Sequence, residues 1–317
     1  MGMVIVLIGL ILSPGDSLSA MFWNVENFFD WRNDSTTVSD TEFSSRGERR
    51  WTWKRFQAKA NAFAKALFWV VGETGRLPDI IGLEEVENAF VLRQLLQKTA
   101  LRKLDYKYVH YDSYDHRGID VALLYRSSRL ELLDSKPCHL FASDTVIATR
   151  DILLCVFREK PQEERFAVLV NHHPSKYGGT AESEPRRRIA VERLRFLVDS
   201  LATIGIDHVI AGGDFNDAPD NPVFRLLEPA LTPMHMDLYR RGLGTIKYDG
   251  KWDLIDHIYL SPALTPLARM RILRIPFLLT RDTVHSGEKP LRTYTGPRHT
   301  GGVSDHLPVL LEVSFPP

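Results

Sequence analysis

The sequence predicts one mixed α/β domain with apolar strands inside and helices outside. Three observations carry this. Short apolar runs of strand length alternate with longer stretches whose apolar residues fall at helical spacing. Of the 317 residues, 44% are hydrophobic and 25% charged. That is ordinary globular composition and excludes a disordered chain, a collagen or a coiled coil. No period of about 20 to 50 residues recurs, which excludes a solenoid.

The elements follow in order. Val4 to Leu12 (VIVLIGLIL) is too short to cross a bilayer and has the length of a signal-peptide core. Ser13-Pro14-Gly15 supplies small residues before a cleavage point, but Met1-Gly2-Met3 carries no Lys or Arg. An N-terminal strand or a misassigned start is the competing reading. The expected division is a signal peptide or apolar segment over 1–15 and a single domain over 16–317. Export to the periplasm or the exterior follows from a signal, a cytoplasmic protein from its absence.

Leu18 to Trp23 reads as a strand ending at Asn24. Phe56, Ala60, Phe63, Ala64 and Leu67 predict a helix over Lys54 to Val71. Asp79 to Leu83 is a short buried strand ending in Glu84-Glu85, and Phe90 to Leu101 is a second helix. Ile119 to Tyr125 and Phe166 to Val170 are strands. A long helix spans Pro185 to Ile204, with Pro185 at its first position and Arg186-Arg187-Arg188 in its first turn. Asp207 to Ala211, Leu254 to Leu260 and Leu307 to Val313 complete the strands. The polar, Gly-rich stretch 280–303 reads as a long functional or mobile loop.

There are 40 Lys+Arg and 40 Asp+Glu, a zero net charge that argues against a polybasic nucleic-acid coat protein but leaves room for a local basic surface. The two cysteines, Cys138 and Cys155, exclude a disulfide scaffold and a CxxC metal site. Cys155, in the apolar run Ile152 to Phe157, reads as a small hydrophobe; a Cys138–Cys155 disulfide is the alternative. No later apolar run approaches the roughly 18 residues that span a bilayer, so stable membrane insertion is not expected. No surplus apolar helix or heptad pattern remains for a partner, and a monomer is expected.

The chemistry lies at the strand ends. Five apolar runs terminate in acidic, amide or imidazole side chains: FWNVEN at 22–27, GLEEVEN at 82–88, LVNHHPS at 169–175, GGDFND at 212–217 and LIDH at 254–257. A sixth cluster, Ser304-Asp305-His306, precedes the last strand. Each has a bland reading alone: Glu84 to Glu87 as the solvated start of a helix, GGDFND as a capped turn, His172-His173 as a satisfied loop pair. If these ends converge, they make one pocket rich in carboxylates, with Asn and His. Clustered carboxylates repel and stay ionised only around a cation, and oxygen donors favour Mg²⁺ or Mn²⁺. A hard cation beside His–Asp pairs points to phosphate chemistry.

With these motifs on the page, the sequence resembles the endonuclease/exonuclease/phosphatase superfamily, whose members are similar to deoxyribonuclease I. WNVENFFD at 23–30, DIIGLEEVEN at 79–88, RGIDVALLY at 117–125, VNHHPSKYGG at 170–179, GGDFND at 212–217, WDLIDHIYLS at 252–261 and GGVSDHLPV at 301–309 carry the resemblance. It implies a four-layer α/β/β/α sandwich of two mixed sheets, with the site at one edge between them. It implies metal binding by Asn24, Glu85 and Asp305, with Glu84 as a neighbour in a place often held by Gln. It implies a phosphate contact from His172, water deprotonation by Asp214, an orienting amide in Asn216 and a paired Asp256–His306. Arg117, Tyr125, Arg150 and His173 are candidate substrate contacts.

The expected reaction is Mg²⁺- or Mn²⁺-dependent hydrolysis of a phosphate ester by in-line attack of water, most simply by a nuclease acting on DNA or RNA. Arg46 to Arg55 (RGERRWTWKR) offers cations for phosphates and Trp51 or Trp53 for stacking, or else a helix lead-in with buried Trp. A small-molecule or lipid phosphodiesterase or phosphatase is the alternative. A catalytically inactive binding module is a third reading, disfavoured because every polar position of the motifs is filled.

Overall fold

The computed structural model describes residues 17–33, 37–160, 162–175 and 180–316. The expectation of a signal peptide over 1–15 lies outside the described residues, as do positions 176–179 of the VNHHPSKYGG motif. Twelve strands build the frame: β1 (Ser17–Phe28), β2 (Ile80–Val86), β3 (Tyr106–His110), β4 (Asp120–Arg126), β5 (Leu130–Cys138), β6 (Ile152–Glu159), β7 (Arg165–His172), β8 (His208–Asp214), β9 (Thr232–Pro233), β10 (Asp256–Leu260), β11 (Ala268–Ile272) and β12 (Val309–Ser314). The helices are α1 (Val38–Glu42), α2 (Trp53–Thr74), α3 (Ala89–Lys98), α4 (Thr180–Thr203) and α5 (Met236–Arg240).

The strands form two six-stranded sheets, ordered β11-β12-β1-β2-β4-β3 and β9-β10-β8-β7-β6-β5. Each contains one parallel pair, β1/β2 and β7/β8, joined through a long helix, α2 or α4. A parallel pair needs such a crossover because its strand ends lie a strand's length apart. The second sheet is contiguous in sequence. The first is closed from both directions, with Ser17 to Phe22 of β1 lying antiparallel to β12.

Phe22, Ile80, Leu123, Phe157, Phe166, Val168 and Ile258 fill the space between the sheets. On the outer face of the first sheet, Phe56, Ala60, Phe63 and Leu67 of α2 meet Trp23, Leu83 and Ala122. On the outer face of the second, Val191, Leu194 and Val198 of α4 meet Leu169, Val209 and Ala211. These are the four layers of the expected sandwich. The Thr52 hydroxyl accepts the Arg55 N–H to open α2, and Gly75 closes it in the left-handed region at φ 76°.

Three expectations need correction. Cys138 and Cys155 are buried free thiols. On the β5/β6 ladder Cys155 opposes Ser135 and Cys138 opposes Ile152. That places the two cysteines three rungs apart, about 10 Å, too far for a disulfide. Pro185 lies inside α4, which begins at Thr180; the Thr-Ala-Glu-Ser-Glu segment ahead of it extends the helix upstream. The stretch 280–303 is not a bare loop but carries two small hairpins, Leu279–Arg281 with Glu288–Pro290 and Tyr294–Thr295 with Arg298–His299.

Candidate active site

The central strands bring their polar ends to one edge between the sheets. Asp214, the last residue of β8, lies opposite His172 of β7 on one side and Asp256 of β10 on the other. On the first sheet, Asn24 of β1 lies opposite Glu84 of β2. Strand alternation puts Ile80, Gly82 and Glu84 on the inter-sheet face. Gly212 and Gly82 face the Phe22 ring, where an added Cβ would lie 2.5 Å from it. Gly213 has φ 130°; a Cβ there would meet the Asn171 carbonyl oxygen at 2.1 Å and Glu84 Oε1 at 2.7 Å. A side chain at 213 is thus excluded by the positive φ and the Asn171 carbonyl of the neighbouring strand, with Glu84 approaching from the opposite sheet.

His306 Nδ1 lies 2.8 Å from Asp256 Oδ2 in a buried pair. Burial alone lowers the imidazole's pKa, but the Asp256 carboxylate and nearby Asp214 reverse this and hold it well above its usual value. The ring is therefore an imidazolium at neutral pH. Its backbone is fixed too: Trp23 Nε1 donates to the His306 carbonyl at 3.0 Å, and the His306 N–H donates to Ser304 Oγ at 2.9 Å.

Asp214 is held on both oxygens. Asn24 Nδ2 donates to Oδ2 at 3.0 Å, and the Asn216 N–H donates to Oδ1 at 2.9 Å. Its Oδ2 also lies 3.6 Å from His172 Nε2 and 3.9 Å from His306 Nε2. Burial pushes the Asp214 carboxyl up to about 7; Asp256 adds to this and the His306 charge and both hydrogen bonds oppose it. His172 goes the other way. Burial, then the Arg150 and Arg117 charges, hold it well below its usual value, so it is a neutral imidazole.

Glu84 is the residue whose weight the motif reading underrated. It is wholly buried, and neither carboxylate oxygen has a hydrogen bond. Burial and the charges of Asp256 and Asp214 push its carboxyl well above the usual range. Asp256 Oδ1 is likewise buried without a partner. An apolar or neutral ligand would leave these acids uncompensated, whereas a cation neutralises them, so the donor set fits a divalent metal. Glu85, at the positive φ of 65°, accepts the Asn27 N–H at 2.7 Å. Gly82-Leu83-Glu84 carried the missed signal: a glycine two residues before an acid on the inward face of a buried strand.

The rim holds the other predicted residues. Asp305 is part-exposed and paired at 2.9 Å with Arg292, which also binds Glu26. Arg150 is buried; it donates to Asp115 at 2.8 Å and to the His173 carbonyl at 2.7 Å. The same carbonyl accepts Asn216 Nδ2 at 2.9 Å. The His173 ring packs on Phe215 at 4.4 Å, and burial lowers its pKa to about 3. Arg117 stands beside Asp115 at 3.5 Å. Tyr125 is not brought to the site. It sits five residues beyond Asp120, about 16 Å along β4, and packs on Phe157 at 5.2 Å in the apolar layer. Trp51 is fully buried, donating to the Phe29 carbonyl, while Trp53 is 50% exposed.

Beside this cluster lies a cavity of about 620 Å³, lined among others by Arg49, Arg117, Arg150, Arg186, Asn27 and Ser175. Glu42 and Asp115 also line it.

The fold matches solved structures closely in extent. An endonuclease/exonuclease/phosphatase family protein from Bacteroides thetaiotaomicron superposes with a TM-score of 0.62 at 18% identity, over 95% of this chain and 98% of that one. A mannosyl-6-phosphatase of the same organism gives 0.60 at 18% identity, over 94% and 100%. In sequence, the Drosophila melanogaster protein angel is 27% identical over 202 residues, 58% of this chain and 54% of the relative. The chain thus spans about half the length of that curated relative. Among the described residues no helix is long and apolar enough to cross a membrane. A family model described as endonuclease/exonuclease/phosphatase matches residues 19–314, nearly the whole described chain with every motif above, and the protein belongs to that family of phosphoric ester hydrolases.

Proposed function

We propose that this chain is a divalent-metal-dependent phosphodiesterase that cleaves a nucleic-acid strand by in-line attack of water. The observation that carries the reading is the buried imidazolium of His306 facing the restrained carboxylate of Asp214, beside an arginine-lined cavity. Glu85 with Asn24, and the charge of Glu84 behind them, would hold a divalent cation of the Mg²⁺ or Mn²⁺ class, which when bound would supply positive charge to the phosphate.

The protein's own groups do the rest. Asp214 takes a proton from the attacking water, and the new bond from water oxygen to phosphorus forms as the ester P–O bond opposite it breaks. His306, kept charged by Asp256, and the neutral N–H of His172 stabilise the negative charge that grows on the phosphoryl oxygens. Asn24 and the Asn216 backbone hold the base in place before the substrate arrives, so no reorganisation is needed at that moment. The arginines of the cavity receive a second phosphate of the same strand, for which their planar fork is suited.

A specific observation favours a second reading, a phosphorylated small molecule: the cavity has the volume of a small-ligand pocket and carboxylates in its wall, and one structural relative is named a mannosyl-6-phosphatase. Hydrolysis of bis-p-nitrophenyl phosphate against the mono-ester, with and without EDTA, separates the two. Diesterase activity abolished by EDTA, followed by nicking of a plasmid or shortening of an oligonucleotide, supports the proposal. Mono-esterase activity alone transfers the assignment to the second reading, and silence across divalent metals favours a binding module.

A further inference from the structure

We propose that His110, Asp112 and Asp120 form a second metal site, for a transition-metal dication of the Zn²⁺ class, apart from the catalytic carboxylates. One donor atom from each of the three lies within 4.8 Å of the others. His110 ends β3 and lies opposite Ala122 of β4; Asp120 is two residues from Ala122 on the same strand face. Diagonal neighbours on one face of an antiparallel pair stand close enough to share a ligand. Ala122 packs under α2, so this is the outer face of the first sheet, whereas Glu84 faces inward.

The imidazole is the observation that points to a ligand. Its side chain is 2% exposed, and buried Nε2 has no hydrogen bond although Asp120 Oδ2 is 3.2 Å away. Two ligands each about 2.0 to 2.1 Å from a tetrahedral Zn²⁺ are about 3.3 Å apart, which is the separation found. The other Asp120 oxygen accepts the Ser113 N–H at 2.9 Å, fixing the carboxylate with Oδ2 presented to the ring. Asp112 Oδ1 stands 3.9 Å from the other ring nitrogen, Nδ1, and its exposed side chain must turn to the Nε2 side to complete a mixed nitrogen–oxygen set open to water. Such a set selects Zn²⁺ over Mg²⁺, which prefers oxygen throughout.

His110 and Asp120 bracket the loop 111–119, which contains Asp112 and carries Asp115, His116 and Arg117 into the wall of the arginine-lined cavity. A bound ion would clamp both ends of that loop and set where the Arg117 guanidinium stands.

The test strips the full chain with EDTA, restores excess Mg²⁺ to occupy oxygen-rich sites, and titrates with ZnCl₂ by calorimetry, with metal content measured after gel filtration. The expected result is a single retained zinc in the wild type and in Glu85→Gln, none in His110→Ala, and affinity lowered at least about tenfold in Asp112→Ala. X-ray absorption should show nitrogen and oxygen neighbours with one imidazole. Asp112 is exposed, so its variant decides the matter even if His110→Ala does not fold. No retained zinc in the wild type overturns the proposal. So does zinc retained undiminished by Asp112→Ala, or zinc lost with Glu85→Gln, which would place the ion among the catalytic groups. Metal content is read without substrate, so its outcome is independent of the assignment of the reaction.

Discussion

The layer between the sheets has two unlike ends built from the same strands. At one end Leu18, Ile80, Leu130, Phe157, Phe166 and Leu260 form an apolar cluster, and the buried carboxylates beside it, Asp79 and Glu159, are paired with Arg129. At the other, Glu84, His172, Asp214, Asp256 and His306 are as deeply buried. Alternation along each strand is unbroken between them; only the residue types change. A large apolar side chain gains about 1.5 to 3 kcal/mol on burial, whereas a buried polar group without a partner costs about 1 to 3 kcal/mol. The apolar end therefore carries the stability that the polar end spends, and the buried polar groups are held by a scaffold whose packing does not rest on them.

That division can be broken at either end. The largest effect is expected at the polar end: Asp214→Asn should lower kcat/KM on a diester by roughly three orders of magnitude or more, with the melting temperature unchanged or raised. A fall in activity matched by unfolding would merge the two ends. At the apolar end, Phe157→Ala should cost about 3 to 5 kcal/mol in urea denaturation, while activity per folded molecule stays near wild type. Glu84→Gln tests the cost directly. A carboxyl whose folded pKa lies above its unfolded one binds protons more tightly when folded, so its penalty is absent at low pH and grows as pH rises above the unfolded value near 4.5. The amide removes that penalty. Metal-free Glu84→Gln should match the wild type near pH 4 and exceed it by about 1 to 3 kcal/mol at pH 8. An advantage that shrinks as pH rises would contradict the burial argument. The smallest effect belongs to the rim: Arg117→Ala should raise KM for an oligonucleotide about threefold to tenfold with kcat unchanged, because it contacts substrate away from the reacting atoms.

The strand ends were legible because a run of apolar residues stopping at Asn24, Glu84, His172 or Asp214 has no packing explanation. Their convergence was legible as well, since clustered acids need a common cation. What escaped the sequence was of three kinds. β3, β5, β9 and β11 were not foreseen, and β6 was legible only as an apolar run: Leu130 to Cys138, for one, mixes exposed Glu131, Asp134 and Lys136 into an edge strand, which blurs its periodicity. Tyr125 was grouped with the site because its motif is, yet distance along a strand separates the two ends of one motif. Trp51 and Trp53 look equivalent in RGERRWTWKR, but the first turns inward ahead of α2 and the second outward from its first turn. Orientation at a helix entrance depends on the cap, and Thr52 between them sets it.

The first sheet takes its final two strands from the far end of the chain, and Ser304 to His306 sits immediately ahead of the last. A growing polypeptide can assemble the second sheet from consecutive residues, but His306 reaches Asp214 only after the segment that follows both sheets' central strands has been made. Fragments truncated before that point lack the Asp256–His306 pair, so under the proposed mechanism a half-made copy has no charged imidazole to offer a phosphoryl group.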